Sequence, residues 1–273
     1  MSTLTLRLKK ALPHRLNCAI LTPENLTGKS ISDIAGLMLS DGRSQQRVDA
    51  VFEISGQPIT DPLQTLHFKD SSHQLDYLGA HINSGRIEIT GDVGAYLGFH
   101  LNGGTIHCHG NTAAFAACNM AKGLLIIEGN TGEFLGGGSA GLRKGMRGGT
   151  VLVKGDAGDR AGDQMRRGLI LIEGNAGDYC GSRMIAGTIG VMGTVGMYAG
   201  FNMKHGTLLL LKKPALQATM QDCGMHTLPF LSLLYQSFSK LDSQFSGLHS
   251  QRVQRWVGDA ACNGNGEILL ISA

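Results

Sequence analysis

The chain has 273 residues, and 24 Lys and Arg against 21 Asp and Glu leave a formal charge of +3, too balanced for a dedicated nucleic-acid binder. Forty glycines with only 5% aromatics exclude a bulky conventional core, and 42% hydrophobic residues exclude gross disorder. Glycine does not recur every third residue, which excludes collagen.

The opening segment, Met1–Leu8, has no apolar leader core. Within it Leu4, Leu6 and Leu8 alternate as a strand. Ser30 is placed to cap a helix over Ile31–Leu39 that stops at Asp41-Gly42. Val51–Ile54 reads as another strand. These elements make residues 1–65 a small α/β cap.

From about Leu66 the chain repeats. Gly91, Gly110, Gly129, Gly155, Gly174 and Gly193 begin equivalent segments at intervals of 19, 19, 26, 19 and 19 residues. The long interval carries seven extra residues near Gly136–Gly145. Five-residue β-branched runs such as Arg86–Thr90, Thr105–His109, Thr150–Lys154, Leu169–Glu173 and Thr188–Met192 lie between the glycine-rich pieces and read as strands. Nothing between them is long or periodic enough for a helix. Parallel strands joined by a dozen irregular residues then require a solenoid. The expected fold is all-β: a right-handed parallel β-helix of about seven 19-residue coils over 66–211.

The period of the strands sets an inward face: Ile87 and Ile89, Ile106 and Cys108, Leu125 and Ile127, Val151 and Val153, Ile170 and Ile172, Ile189 and Val191, Leu208 and Leu210. Leu101, Met120, Met146, Met165, Met184 and Met203 form a second apolar row, in which unbranched Met absorbs mismatches between coils. Asp92, Asn111, Asn130, Asp156 and Asn175 follow the leading glycines and read as turn residues that tolerate left-handed backbone and bond their own turn. Ser72–Ser84 is a degenerate first coil. Open solenoid ends need covering. Residues 212–273 supply a helix with one apolar stripe, Leu228, Leu231, Leu234, Tyr235, Phe238 and Leu241, after Thr227. Ile126, Leu152, Leu171 and Leu209 point away from the inner row and call for burial under this segment or another subunit.

Chemistry is sparse. Six scattered cysteines form no C-x-x-C pair and read as free thiols of a reduced, cytoplasmic protein. No apolar run reaches the roughly 18 residues of a membrane span. Gly137–Gly141 fits G-x-S-x-G, and Gly136, Gly138 and Gly141 fit G-x-G-x-x-G, but neither has its strand-turn-helix context. His107 and His109 share a strand face without a readable third metal ligand, and His81 and His100 occupy equivalent places in adjacent coils, so the histidines read as a neutral ladder. Arg143, Lys144, Arg147, Arg166, Arg167, Arg183 and Lys204 fall at or near one corner of successive coils. Such a row is either a solvated rim or a track for a polyanion, and guanidiniums pair bidentately with carboxylates. Read from the residues, the chain is a scaffold or binding subunit.

The repeat resembles the C-terminal β-helix of the glutamate synthase large subunit and, more closely, the C subunit of formylmethanofuran dehydrogenase. The resemblance rests on the 19-residue coils, the insertion before Gly145–Thr150, the unit Gly155–Gly168 and the tail Asp222–Phe230. Met165-Arg166-Arg167-Gly168 and that tail look most like the C subunit of the formyltransferase/hydrolase complex of methylotrophs. The resemblance implies a non-catalytic β-helix support in one-carbon metabolism, beside amidohydrolase-like, formyltransferase and molybdopterin-dehydrogenase-like subunits. It places zinc-type metals, or molybdenum or tungsten in archaeal relatives, on those partners. It also implies a methanofuran analogue with a glutamate-rich tail as cofactor of the complex, and hence a ligand for the basic corner. The alternatives are a molybdenum or tungsten formylmethanofuran dehydrogenase, an amide-handling relative of glutamate synthase, and a stand-alone solenoid enzyme. The last typically shows aromatics along the coils, whereas Trp256 lies outside them.

Overall fold

The computed structural model describes residues 4–271. Met1–Thr3, where the leader reading begins, and Ser272–Ala273 lie outside the described residues. The protein is mostly β, built on one 13-stranded sheet and one four-stranded sheet.

The N-terminal region contributes β1 (Leu4–Leu8), β2 (Leu16–Asn17), α1 (Pro23–Leu26), α2 (Ile31–Gly36), β3 (Met38–Ser40), β4 (Gln45–Arg47), α3 (Val48–Val51) and β5 (Phe52–Gly56). Ser30 caps α2 as expected, in a capping box with Asp33. The helix is shorter than its expected span: it ends at Gly36, and Met38–Ser40 pairs antiparallel with β4 instead. Only Ile34 of α2 is buried, so no apolar stripe holds a second turn. Val51 closes a helical turn, and the strand begins at Phe52.

The repeat forms β6 (Thr65–Ser71), β7 (Leu75–Asp76), β8 (Arg86–Gly91), β9 (Asn102–Cys108), β10 (Lys122–Ile127), β11 (Arg147–Val153), β12 (Arg167–Ile172), β13 (Thr188–Val191) and β14 (Thr207–Leu210). From β8 to β14 each strand pairs in parallel with the next, and Ile87, Ile106, Leu125, Val151, Ile170, Ile189 and Leu208 stand in register. Every expected inward residue is fully buried, as is the whole Leu101–Met203 row. A second line of parallel bridges joins Val93, Thr112, Thr131, Ala157, Ala176 and Val195. Each coil therefore touches its neighbour on two sides. The degenerate coil joins through β7, which pairs with β2, while Gly94 N donates to Leu75 O at 3.0 Å.

The Asn/Asp row works differently from expectation. None of its members has positive φ. Each side chain instead accepts from the backbone of the next coil: Asn111 N to Asp92 Oδ1 at 2.8 Å, Asn130 N to Asn111 at 2.8 Å, Asp156 N to Asn130 at 2.7 Å, Asn175 N to Asp156 at 2.6 Å and Thr194 N to Asn175 at 2.9 Å. Most of the left-handed residues other than glycine form two other rows. One is aromatic, with Tyr77, Tyr96, Phe115 and Phe134 stacked at 4.7 to 4.9 Å and Arg160 lying 4.5 Å from the Tyr179 ring centroid. The other is His81, His100, Asn119, Gln164, Arg183 and Asn202.

The parallel ladder continues past the repeat at both ends. β1 pairs in parallel with β6, and β5 closes it antiparallel. At the other end β15 (Gln221–Thr227), α4 (Phe230–Phe238), β16 (Arg252–Gly258) and β17 (Gly266–Ile271) follow, and β17 adds in parallel to β14. The outer leucines are covered by the chain's own C-terminal segment. Leu152, Leu171 and Leu209 are buried with Leu231, Tyr235 and Phe238 of α4 and with Phe245. Gly190 interrupts this outer row for room, since a Cβ there would meet the Phe245 ring at 2.7 Å.

Candidate functional site

The basic corner is built around the buried methionines. The residue before Met165, Met184 and Met203 is left-handed, at φ +57 for Gln164, +53 for Arg183 and +56 for Asn202. That turn sends the flanking side chains outward on both sides of a fixed apolar plug. The residue after each Met is tied to the coil below: Arg147 N donates to Met120 O at 2.7 Å, and Arg166 N to Met146 O, Ile185 N to Met165 O and Lys204 N to Met184 O, each at 2.8 Å. Coils stack about 4.8 Å apart, so side chains of successive coils meet.

They enclose two adjoining cavities. One of about 470 Å³ is lined by Arg143, Gln164, Arg166, Arg183, Ile185, Asn202 and Lys204. The other, of about 440 Å³, is lined by Arg147, Arg166, Arg167, Ile185 and Ala186. Arg166 and Ile185 belong to both, which makes one continuous groove. Of the expected residues, Arg143, Arg147, Arg166, Arg167, Arg183 and Lys204 meet here. Lys144 lies on the exposed insertion outside both cavities.

The cations are not equivalent. Arg183 donates from Nε at 2.9 Å and from its terminal nitrogen at 2.5 Å to Asp163, whose side chain is 4% exposed. This hydrogen bonding raises the Arg183 pKa, and Ser182 Oγ completes the carboxylate at 2.6 Å. Lys204 donates to the Cys262 carbonyl. Among the described residues, no ion pair joins Arg143, Arg147, Arg166 or Arg167 to a carboxylate, although Arg147 and Arg167 are register partners on adjacent strands. Burial lowers the His100 pKa, and the charges of His81 and Arg147 lower it further. Two buried polar atoms in the groove, Arg166 Nε and Gln164 Oε1, have no partner. Buried polar atoms normally find one, so the groove holds one unspent donor, Arg166 Nε, and one unspent acceptor, Gln164 Oε1, beside its positive charge. Sequence reasoning missed Gln164 and Asn202; their place immediately before a row methionine was the available signal.

Other candidates resolve into packing. Cys108 is pushed up to about 11, and Cys118 and Cys180 to about 12, by burial, so these thiols stay protonated. Ser139 of the G-x-S-x-G pattern accepts from Asn119 Nδ2 at 3.1 Å on a loop. His81 and His100 stack at 5.2 Å as expected of a ladder, whereas His107 and His109 are engaged by Glu128 and Glu88. Among the described residues no helix is long and apolar enough to cross a membrane.

No family model matches the sequence. The crystal structure of the formyltransferase/hydrolase complex of Methylorubrum extorquens with methylofuran contains a chain that superimposes at a TM-score of 0.90 and 35% identity, over 98% of this chain and 100% of that one. The C subunit of that organism's complex is 37% identical over 90 residues, 33% of this chain and 32% of the relative. The chain belongs to the C-subunit family of formyltransferase/hydrolase and formylmethanofuran dehydrogenase complexes. Its archaeal side is represented by the C subunit of a molybdenum-containing formylmethanofuran dehydrogenase of Methanosarcina barkeri, 31% identical over 87 residues, 32% of this chain and 29% of the relative. The matched segments thus span about a third of each of these two relatives, while the superposition runs through the whole fold.

Proposed function

We propose that this chain is the non-catalytic support subunit of a formyltransferase/hydrolase complex, and that its basic groove retains an anionic part of a methanofuran-type cofactor. The observation that carries the subunit reading is the superposition over 98% of the chain with a component of such a complex. In this reading residues 66–211 are a right-handed parallel β-helix, residues 1–65 and 212–273 close its ends, and metal chemistry belongs to amidohydrolase-like and formyltransferase partners. The complex would act in the cytoplasm on one-carbon units carried as formyl groups.

The groove supplies what a carboxylate-rich chain needs. Arg143, Arg147, Arg166 and Arg167 are free of internal carboxylates, and a guanidinium takes a carboxylate through two parallel hydrogen bonds. Each cavity is lined by residues of successive coils, so a chain of carboxylates can engage several coils in turn. The identity to the Methanosarcina barkeri protein favours a second reading, support of a molybdenum or tungsten dehydrogenase. Affinity purification of the tagged protein from its native host, with mass spectrometry of its companions, separates the two. Amidohydrolase and formyltransferase subunits without molybdopterin are expected. A molybdenum or tungsten partner moves the chain to the dehydrogenase, and a lone stable chain overturns the support role.

A further inference from the structure

The outer face of the 13-stranded sheet is covered by α4 only toward its C-terminal end. Toward the N-terminal end the equivalent positions carry Glu88 on β8 and His107 on β9, which are register partners, and His109 lies two residues further along the same face. The sequence left these histidines one ligand short; the parallel register supplies it. Glu88 Oε2 lies 3.0 Å from His109 Nε2 and 3.5 Å from His107 Nδ1. One ligating atom from each of the three residues falls within 4.8 Å of the others. An ion bound tetrahedrally at zinc distances of about 2.0–2.1 Å holds its ligand atoms about 3.3 Å apart, a value that the two observed separations bracket.

The surrounding bonds fix which atoms face inward. His107 Nε2 meets Glu128 Oε1 at 2.8 Å, so in the neutral ring the proton sits on Nε2 and the Nδ1 lone pair points at the Glu88 carboxylate. Two acceptors aimed at each other need a cation or a proton between them. A ligating histidine whose other nitrogen is held by a carboxylate is the usual outer arrangement of zinc sites. Glu128 is itself held by Lys154 at 3.1 Å. Arg86 engages Glu88 through Oε1, leaving Oε2 for an ion. His109 is 44% exposed, which gives a path of entry.

We propose that Glu88, His107 and His109 form a divalent-cation site of the zinc type, oriented by Glu128 and joining two adjacent coils. Three protein ligands leave a position for water or for a group from another subunit. The site stands apart from the arginine groove and does not depend on the reading of that groove.

The test is Zn²⁺ titration of the purified full chain against a chromogenic chelator, with Co²⁺ absorption as a second readout. One ion per chain is expected. His109→Ala and Glu88→Gln should each weaken binding at least tenfold, and Glu128→Gln about tenfold. Cys223→Ser should leave affinity unchanged, because that exposed thiol is not part of the site. His109 is at the surface, so its variant keeps the fold, and circular dichroism verifies this. Absence of stoichiometric binding by the wild-type chain overturns the site in favour of a proton shared between His107 and Glu88. Wild-type affinity in both His109→Ala and Glu88→Gln overturns it in favour of some other ligand set.

Discussion

Two corners of each coil carry polar rows, and they treat their hydrogen-bonding groups in opposite ways. After each strand, Asp92, Asn111, Asn130, Asp156 and Asn175 hand every Oδ1 to an amide of the next coil. Before each strand, around the methionines, Arg166 Nε and Gln164 Oε1 stay unpaired among the described residues, and Arg147 and Arg167 are register partners on adjacent strands. Both rows repeat with the coil, so periodicity alone does not separate structure from function. Satisfaction does: the first corner has used its side-chain acceptors on the fold, whereas the second pairs Arg183 with Asp163 but leaves Arg143, Arg147, Arg166 and Arg167 without a carboxylate among the described residues, as the proposed ligand role requires.

Substitutions can break or sharpen this contrast. The largest stability effect belongs to the apolar plug beneath the basic corner. Met165→Ala should cost about 3 kcal/mol, read as a fall in the urea midpoint, because Met165 is fully buried. Next is the one built ion pair of that corner. Asp163→Asn should cost about 2 kcal/mol through weaker bonds to Arg183 and Ser182, and it should leave Arg183 mobile. In the satisfied corner, Asn130→Ala removes the acceptor of Asp156 N and should cost about 1 kcal/mol, water taking part of the role at this exposed site. In the unsatisfied corner, Arg166→Gln should change stability by less than about 0.5 kcal/mol. A loss at Arg166 as large as at Asn130 would erase the distinction.

The inner ladder was legible because apolar residues recur at every second position of each strand, from Ile87 and Ile89 through their successors, and all are buried; the residues between them are polar at Glu88 and His107 and apolar from Ile126 onward, apart from Gly190. The helix of the C-terminal segment was legible at its centre by helical spacing, although it spans only Phe230–Phe238 and leaves Leu228 and Leu241 beyond its ends, and the outer leucines announced what it covers. The partner of the Asn/Asp row was not legible. A local turn and a bond to the next coil use the same residue types, and only stacking decides between them. Met38 and Leu39 read as helix because Leu37, Met38 and Leu39 continue an apolar run, and their pairing with β4 is non-local. The closing strand β17 was missed, since its partner β14 lies some 60 residues earlier. The arginine corner was visible as a charge pattern. Gln164 and the split between paired Arg183 and unpaired Arg166 were not, because they depend on which carboxylate the fold delivers to which cation.

The most direct measurement is the amount of methanofuran-type cofactor that remains with the complex after purification through a tagged Arg166→Glu/Arg167→Glu variant, quantified by mass spectrometry alongside the partner subunits. The groove reading predicts that the partners co-purify in wild-type proportion while the cofactor is depleted. Full cofactor retention in an intact complex would contradict it.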